Sequence, residues 1–320
     1  MTVLRPAANA EPSWVVSMRS AYGPYALHEV GNVPLRPARP FLAGAVKAMD
    51  GALVTAGLDR LVCVNNWLLS TNLYPPWDGA GLAALTASLA ERFPEHFLAF
   101  RSLNFRHHAR LLARFRATGW ELVPARQVWI AEPGDAPTHN RRIDAKLLAR
   151  TPLQRAGAHS FGDADWVRAA DLYAQLYLRK YSHLNPAFAP GFLRFAQRTG
   201  FMRIEGLRDA RGSLVMVAGT IASHAVMTTP LVGYDFALPQ SAGLYRMAIA
   251  MSFEEMERCR LSFNISAGVG GFKRLRGAKP VVEYTAVWSR HLPAARRLPL
   301  QFLRTVLQRI AVPLMETYDL

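Results

Sequence analysis

The chain has 320 residues, a formal net charge of +15, 51% hydrophobic and 19% charged residues, and two cysteines. That length fits two domains of about 150 residues, each able to bury a core without disulfide or metal staples. The composition excludes a disordered or low-complexity chain, and two cysteines exclude a disulfide framework. In chain order, the N-terminal half predicts a helix over Phe41–Ala56, a Val-rich strand over Arg60–Trp67 and a helix over Gly79–Arg92 with Leu82, Leu85 and Leu89 on one face. A strand over His96–Leu103, a helix over Phe105–Thr118 stopped by Gly119, and strand material over Trp120–Ala131 follow. Strands joined through helices usually run parallel, so a parallel sheet is expected here. Glu132-Pro133-Gly134-Asp135 and the polar residues after them interrupt regular structure, which sets a linker over residues 133–150.

The C-terminal half predicts a long helix over Asp163–Tyr181 and a second over Phe192–Arg198. Strands are expected over Met202–Leu207, Leu214–Ser223 and Ala225–Val232, then a helix over Ala242–Arg258 and a strand over Leu261–Ser266. A Gly- and Arg-rich loop runs to Pro280, and a final strand covers Val281–Trp288. Arg296 to Val312 reads as an amphipathic helix, with Leu300, Leu303, Leu307 and Ile310 on one side. The domains expected are 1–132, the linker 133–150, a catalytic domain 151–292 and an amphipathic tail 293–320. The second sheet is an antiparallel meander that turns parallel once, between 225–232 and 261–266. Two parallel strands that splay apart leave backbone groups unpaired. An extended thioester arm can fill that gap as a surrogate strand, and the N-terminus of the crossover helix can receive phosphate.

Cys63 and Cys259 both sit in apolar stretches and are expected as buried free thiols of a reducing compartment. No apolar run precedes Pro12, and none approaches the roughly 20 residues of a membrane span, so a cytoplasmic chain is expected. The positive charge is spread along the chain. It reads either as a compositional preference for Arg or as an affinity for an anionic partner: CoA phosphates, an acidic carrier protein or RNA. His107 and His108 are not a metal signal, because adjacent helix residues face apart. No Walker loop or dinucleotide glycine fingerprint follows a strand.

Two spaced motifs are more specific. The first is Gly233-Tyr234-Asp235 followed by Gln240-Ser241-Ala242-Gly243-Leu244-Tyr245. The second is Asn264-Ile265-Ser266-Ala267-Gly268, then Gly270-Gly271-Phe272-Lys273-Arg274 and Arg276-Gly277-Ala278. Over Asp163 to Leu292 they make the chain resemble the GNAT superfamily, in the branch holding FemAB-type aminoacyltransferases and CelD-like acyltransferases. Asn264 stands where many relatives carry Asp, Gly271 stands where an acidic residue is frequent, and the standard Gln/Arg-x-x-Gly-x-Gly turn is only approximated. The run Leu103-Asn104, His108-Ala109, Phe115 and Gly119-Trp120 resembles a second, degenerate copy. Its turn Pro76-Trp77-Asp78-Gly79-Ala80-Gly81 carries a carboxylate that opposes phosphate, so this half is expected to bind no CoA.

The resemblance implies an α+β fold of two tandem GNAT-like domains. Each would be a mixed, mostly antiparallel sheet flanked by helices, with a splayed parallel strand pair. It implies acyl transfer from acyl-CoA or an acyl-carrier protein, used as co-substrate, to an amine of a small-molecule acceptor, with no tightly bound cofactor and no metal. The donor residues would be Gln240, Ser241, Ala242, Gly243, Leu244, Arg246, Gly268, Gly270 and Gly271. Lys273 could stabilise the oxyanion or pair with Glu283; Asp235 could take the amine proton or cap a turn; Tyr234 could donate to the leaving thiolate or pack in the core. Asn65, Asn66 and Trp67 could line an acceptor pocket or protect a strand edge. A transferase dependent on aminoacyl-tRNA, the one nucleic acid considered, and a non-catalytic binding module are the alternatives.

Overall fold

The computed structural model describes residues 1–5, 11–31, 33 and 36–318. Its strands are β1 (Thr2–Leu4), β2 (Leu61–Val64), β3 (Phe97–Asn104), β4 (Glu121–Ala131), β5 (Gln154–Gly157), β6 (Arg203–Arg208), β7 (Leu214–Ser223), β8 (Val226–Tyr234), β9 (Ser262–Asn264) and β10 (Lys279–Trp288). The chain divides into two compact units. One comprises Met1–Val128, Ala267–Val269 and Pro280–Leu320; the other comprises Trp129–Ser266 and Gly270–Lys279.

In the first unit the strand order is β1-β2-β3-β10-β4. β2 and β3 pair in parallel from Leu61↔Phe97 to Val64↔Phe100, and β10 runs antiparallel to β3. The parallel sheet expected here is therefore corrected: only β2 and β3 are parallel among these described pairings, and β10 lies between β3 and β4. The reason is visible in β10 itself. Tyr284 and Ala286 enter one apolar cluster and Val287 enters another, so both faces demand cover and the strand must be interior. β3 is buried at all eight residues for the same reason. The helix Phe105–Ala117 starts where the Asn104 side chain accepts the His107 N–H at 2.9 Å, and it stops at Gly119, whose φ is +88°. The tail forms the helix Ala294–Val306, which buries Leu300 and Leu303.

In the second unit the order is β4-β9-β8-β7-β6-β5. β5 to β8 are an antiparallel meander, and β8 and β9 are parallel, joined by the helix Leu244–Cys259 as expected. Residues 133–150, expected as linker, hold the helix His139–Arg150, capped by Thr138 and burying Asp144 and Leu148. Residues from Pro280, expected in the C-terminal domain, belong to the first unit. The Gly-rich loop contains a short helix, Gly270–Arg274. The long helix expected to Tyr181 is α-helical from Asp163 to Ala174 and then widens into a π-helical segment, Gln175–Tyr181. Its Tyr177 carbonyl accepts both Ser182 N–H and Asn185 Nδ2–H, which gives the polar run after Lys180 a structural role. The α+β class and the mixed sheet flanked by helices are as expected.

Both cysteines are free. Burial pushes the Cys63 pKa up to about 11, while Cys259 is only partly buried, a correction to the expectation, and sits 3.2 Å from Glu255. His108 packs edge-on to Tyr74, and its Nδ1 accepts the Asn104 N–H. Burial, with His107 adding to it, pulls its pKa down to about 4. An ordinary histidine titrates near 6.5. Between those values the unfolded chain binds a proton and the folded chain does not. Stability should therefore fall on acidification from about pH 6.5 to about 4, by an amount on the order of 3 kcal/mol, and this term should level off below. Urea unfolding of the parent and His108→Asn across that range checks this. The parent-minus-variant difference should shrink with falling pH; a pH-independent difference contradicts it.

Candidate functional site

In the second unit the parallel strand pair stops while one of its strands continues. β8 and β9 pair over Val226↔Ser262, Met227↔Phe263 and Thr228↔Asn264, yet β8 runs on to Tyr234. β9 leaves because Asn264 Oδ1 accepts the Ser266 N–H at 2.9 Å, holding Ser266 at φ +62° and turning the chain toward Trp129. Asn264, standing where an Asp was common in the resemblance, is thus a turn-former. At the point of divergence Thr228 Oγ1 is buried and has no hydrogen-bond partner.

The helix Leu244–Cys259 begins beside this gap, and its start corrects several expectations. Gly243 adopts φ +69°, but a Cβ there would meet Leu147 Cδ2 at 2.6 Å, so the space in front of it is filled by a side chain. Gly81, at φ +74° in the first unit, has nothing within 4 Å of that position. The open space thus lies beside Gly81 and not beside Gly243. Leu244 is 4% exposed and its side chain packs in the core with Met247 and Ala248, so only its backbone is placed to meet a ligand. Gln240 and Ser241 are exposed, Ala242 is half-buried, and these three form a single 3-10 turn whose side chains do not cap the helix. Arg246 is held by an ion pair, Nε to Asp144 Oδ1 at 2.6 Å. Asp144 also takes Arg276 at 2.6 Å, and the Arg276 guanidinium lies 3.3 Å from the centre of the Phe272 ring. Two guanidiniums thus share one buried carboxylate next to the helix start. Sequence reading missed Asp144 because it lay in the presumed linker.

Lys273 is 2% exposed, and its Nζ donates to the Ser266 carbonyl at 3.0 Å. It ties the loop after β9 to the short helix, while Glu283 takes Arg126 at 2.8 Å in the first unit. Gly268 has φ +80° with open space beside it; Gly270 and Gly271 start the short helix without a positive φ, so only Gly268 needs to be glycine for conformation. Asp235 accepts Arg168 at 2.6 Å on one oxygen and the Ala237 N–H at 2.9 Å on the other, which is the turn-capping reading. Tyr234 is half-buried, its ring 4.9 Å from Phe236 and 6.2 Å from Tyr245, and burial raises its pKa. Tyr245 is raised too, by deeper burial. An aromatic set of Tyr234, Phe236, Tyr245 and Phe272 therefore lines this end of the unit; single aromatics in a sequence give no sign of such clustering.

Two clefts lie elsewhere. One of about 400 Å³ in the first unit is bordered by Arg116, Glu121, Arg304 and Arg309. One of about 390 Å³ in the second unit is bordered by Arg155, Arg203, Glu205 and Glu254, which are tied together by ion pairs. Among the described residues no helix is long and apolar enough to cross a membrane.

No protein-family model matches the chain, and no curated protein matches it. Solved structures do. The fold is similar to the C-terminal domain of a protein described as a lysylphosphatidylglycerol synthetase from Agrobacterium fabrum, at 16% identity over 70% of this chain and 78% of that one, with a TM-score of 0.50. It is similar to L-PGS from Bacillus licheniformis, at 12% identity over 70% and 78%, TM-score 0.51. It is also similar to FemX, at 8% identity over 67% and 78%, TM-score 0.50. At such identities the likeness is one of fold alone.

Asp144 should be the support of the helix start. Asp144→Ala leaves Arg276, 6% exposed at its side chain, without its carboxylate. The expected cost is about 3–5 kcal/mol in urea unfolding. Lys273→Ala should cost about 1–3 kcal/mol, since it removes a charged donor from the Ser266 carbonyl and leaves that oxygen with the Trp129 N–H alone of the two. Variants within 0.5 kcal/mol of the parent would contradict these roles.

Proposed function

We propose that the chain is an acyl- or aminoacyltransferase whose working site is the divergence of β8 and β9 in the second unit. The observation that supports this reading most is the parallel contact that stops at Thr228 while β8 continues to Tyr234, beside a helix start where Arg246 and Arg276 share only Asp144. An extended thioester arm, from acyl-CoA or an acyl-carrier protein, would lie along the free edge of β8, its phosphates drawn by the surplus positive charge. The acceptor's amine nitrogen attacks the thioester carbonyl carbon. The C–N bond forms, an oxyanion collapses, and the C–S bond breaks. Tyr234, kept protonated by burial, hands its proton to the leaving sulfur, and the amine's proton passes to solvent. Lys273 and Asp235 are assigned to positioning, Lys273 through the loop after β9 and Asp235 through the turn after β8.

A second reading, an aminoacyl donor carried by tRNA, is favoured by the resemblance to FemAB-type aminoacyltransferases together with the fold likeness to FemX. It predicts donor binding that weakens steeply with salt.

Thermal melting with CoA, several acyl-CoAs, acyl-carrier protein and charged tRNA separates these. A donor at 100 times its Kd stabilises by about 2.7 kcal/mol. A shift with CoA compounds or carrier protein supports the first reading, and a shift with charged tRNA alone supports the second. No shift with any overturns both. Tyr234→Phe should lower turnover roughly 100-fold with an unchanged melting temperature; full activity removes Tyr234 from the chemistry.

A further inference from the structure

The first unit, expected to bind no CoA, carries a buried guanidinium, that of Arg101, with no carboxylate hydrogen-bonded to it among the described residues. At the carboxyl end of the parallel pair β2/β3, immediately after the last paired residue Phe100, Arg101 is 6% exposed. Beside it Arg126 donates from Nε to Glu283 at 2.8 Å and from Nη2 to the Ser70 carbonyl at 2.6 Å and Thr71 Oγ1 at 3.0 Å. Both guanidiniums stand 5.1 Å from the Trp14 ring. Burial, then the like charge of Arg126, disfavour the charged form of Arg101, against the opposing influence of Cys63, Glu283 and Tyr74.

Arg101's own hydrogen bonds go to neutral groups. Nη1 donates to the Val15 carbonyl at 2.9 Å and to Asn66 Oδ1 at 3.1 Å; Nη2 has one long contact, 3.5 Å, to the Ser70 carbonyl. A guanidinium has five N–H donors. Nε–H and one Nη2–H, the edge that matches a carboxylate side-on, are left with no protein acceptor among the described residues. The adjoining turn, which reaches Arg101 through the Ser70 carbonyl, holds a further unmet donor: Asn72 is 1% exposed, and its Nδ2 has no partner among the described residues. The turn departs from β2 through Asn65 at φ +51° and Leu68 at φ +60°, and its amides are spent on holding it, with Asn65 Oδ1 taking Trp67 Nε1 and Asn66 Nδ2 reaching the Val15 carbonyl. A buried, unpaired guanidinium is costly. One surplus charge, one free fork edge and an aromatic wall fit a single small carboxylate.

We propose that the first unit binds a small organic carboxylate on the Nε–Nη2 edge of Arg101, beneath the Asn65–Asn72 turn. This is independent of which donor the second unit uses. Calorimetric titration of the full chain with sodium acetate and sodium isobutyrate, against sodium phosphate at matched pH and ionic strength, tests it. The carboxylates should bind once and saturably. Arg101→Gln should bind at least tenfold more weakly, and Glu283→Gln, which adds to the surplus charge, at least tenfold more tightly. Absence of saturable carboxylate binding overturns the site, unchanged affinity in Arg101→Gln overturns its place, and phosphate binding tenfold tighter than acetate overturns its chemistry. If the variants do not fold, crystals of the parent grown in saturating acetate decide: acetate on the Arg101 edge supports the proposal, and an empty edge contradicts it.

Discussion

A strand inside a sheet needs a partner for each backbone N–H and C=O, and between β8 and β9 that need is met for three residues and then abandoned. The remainder of the second unit follows from this. The antiparallel meander β5–β8 supplies a rigid frame on one side of the break, and the helix Leu244–Cys259 must cross over to reach β9 in parallel, which brings its N-terminus to the gap. Asn264 and Lys273 then hold the departing chain open, one by turning it at Ser266 and the other by gripping the Ser266 carbonyl. Lys273, which reads as reactive in the sequence, is here tied to the loop that leaves the sheet.

Part of the basic character of the chain is consumed internally. Arg168 is spent on Asp235, Arg208 on Asp165, Arg141 on Glu257, and Arg246 with Arg276 on Asp144. What matters for ligands is where the bookkeeping of charge fails to balance, at the Arg246–Asp144–Arg276 triad and at Arg101. A net charge of +15 did not distinguish those places from the solvated surface.

Much of the architecture was legible because it rests on local periodicity. β7 covers Leu214–Ser223 as its alternation of apolar residues indicates, and the helix after Gly243 lies within two residues of its expected span. The place of β10 was not legible, since strand order is settled by which faces need burying across long separations, and Tyr284, Ala286 and Val287 declare that only once folded. Residues 133–150 misled because Pro133 and Gly134 end one element without saying that Thr138 caps the next. Gly243 misled for a different reason: a glycine marks a close approach, and sequence does not reveal whether a ligand or Leu147 makes it.

The central claim is that the free edge of β8 receives the donor. Amide hydrogen exchange on the full chain, with and without a donor that stabilises the fold, reads that edge directly. The account predicts added protection at Leu231 to Tyr234 and at the helix start from Gly243. Protection confined to the end of β2, at Asn65 to Leu68, with β8 unchanged, would place the donor in the other unit and contradict it.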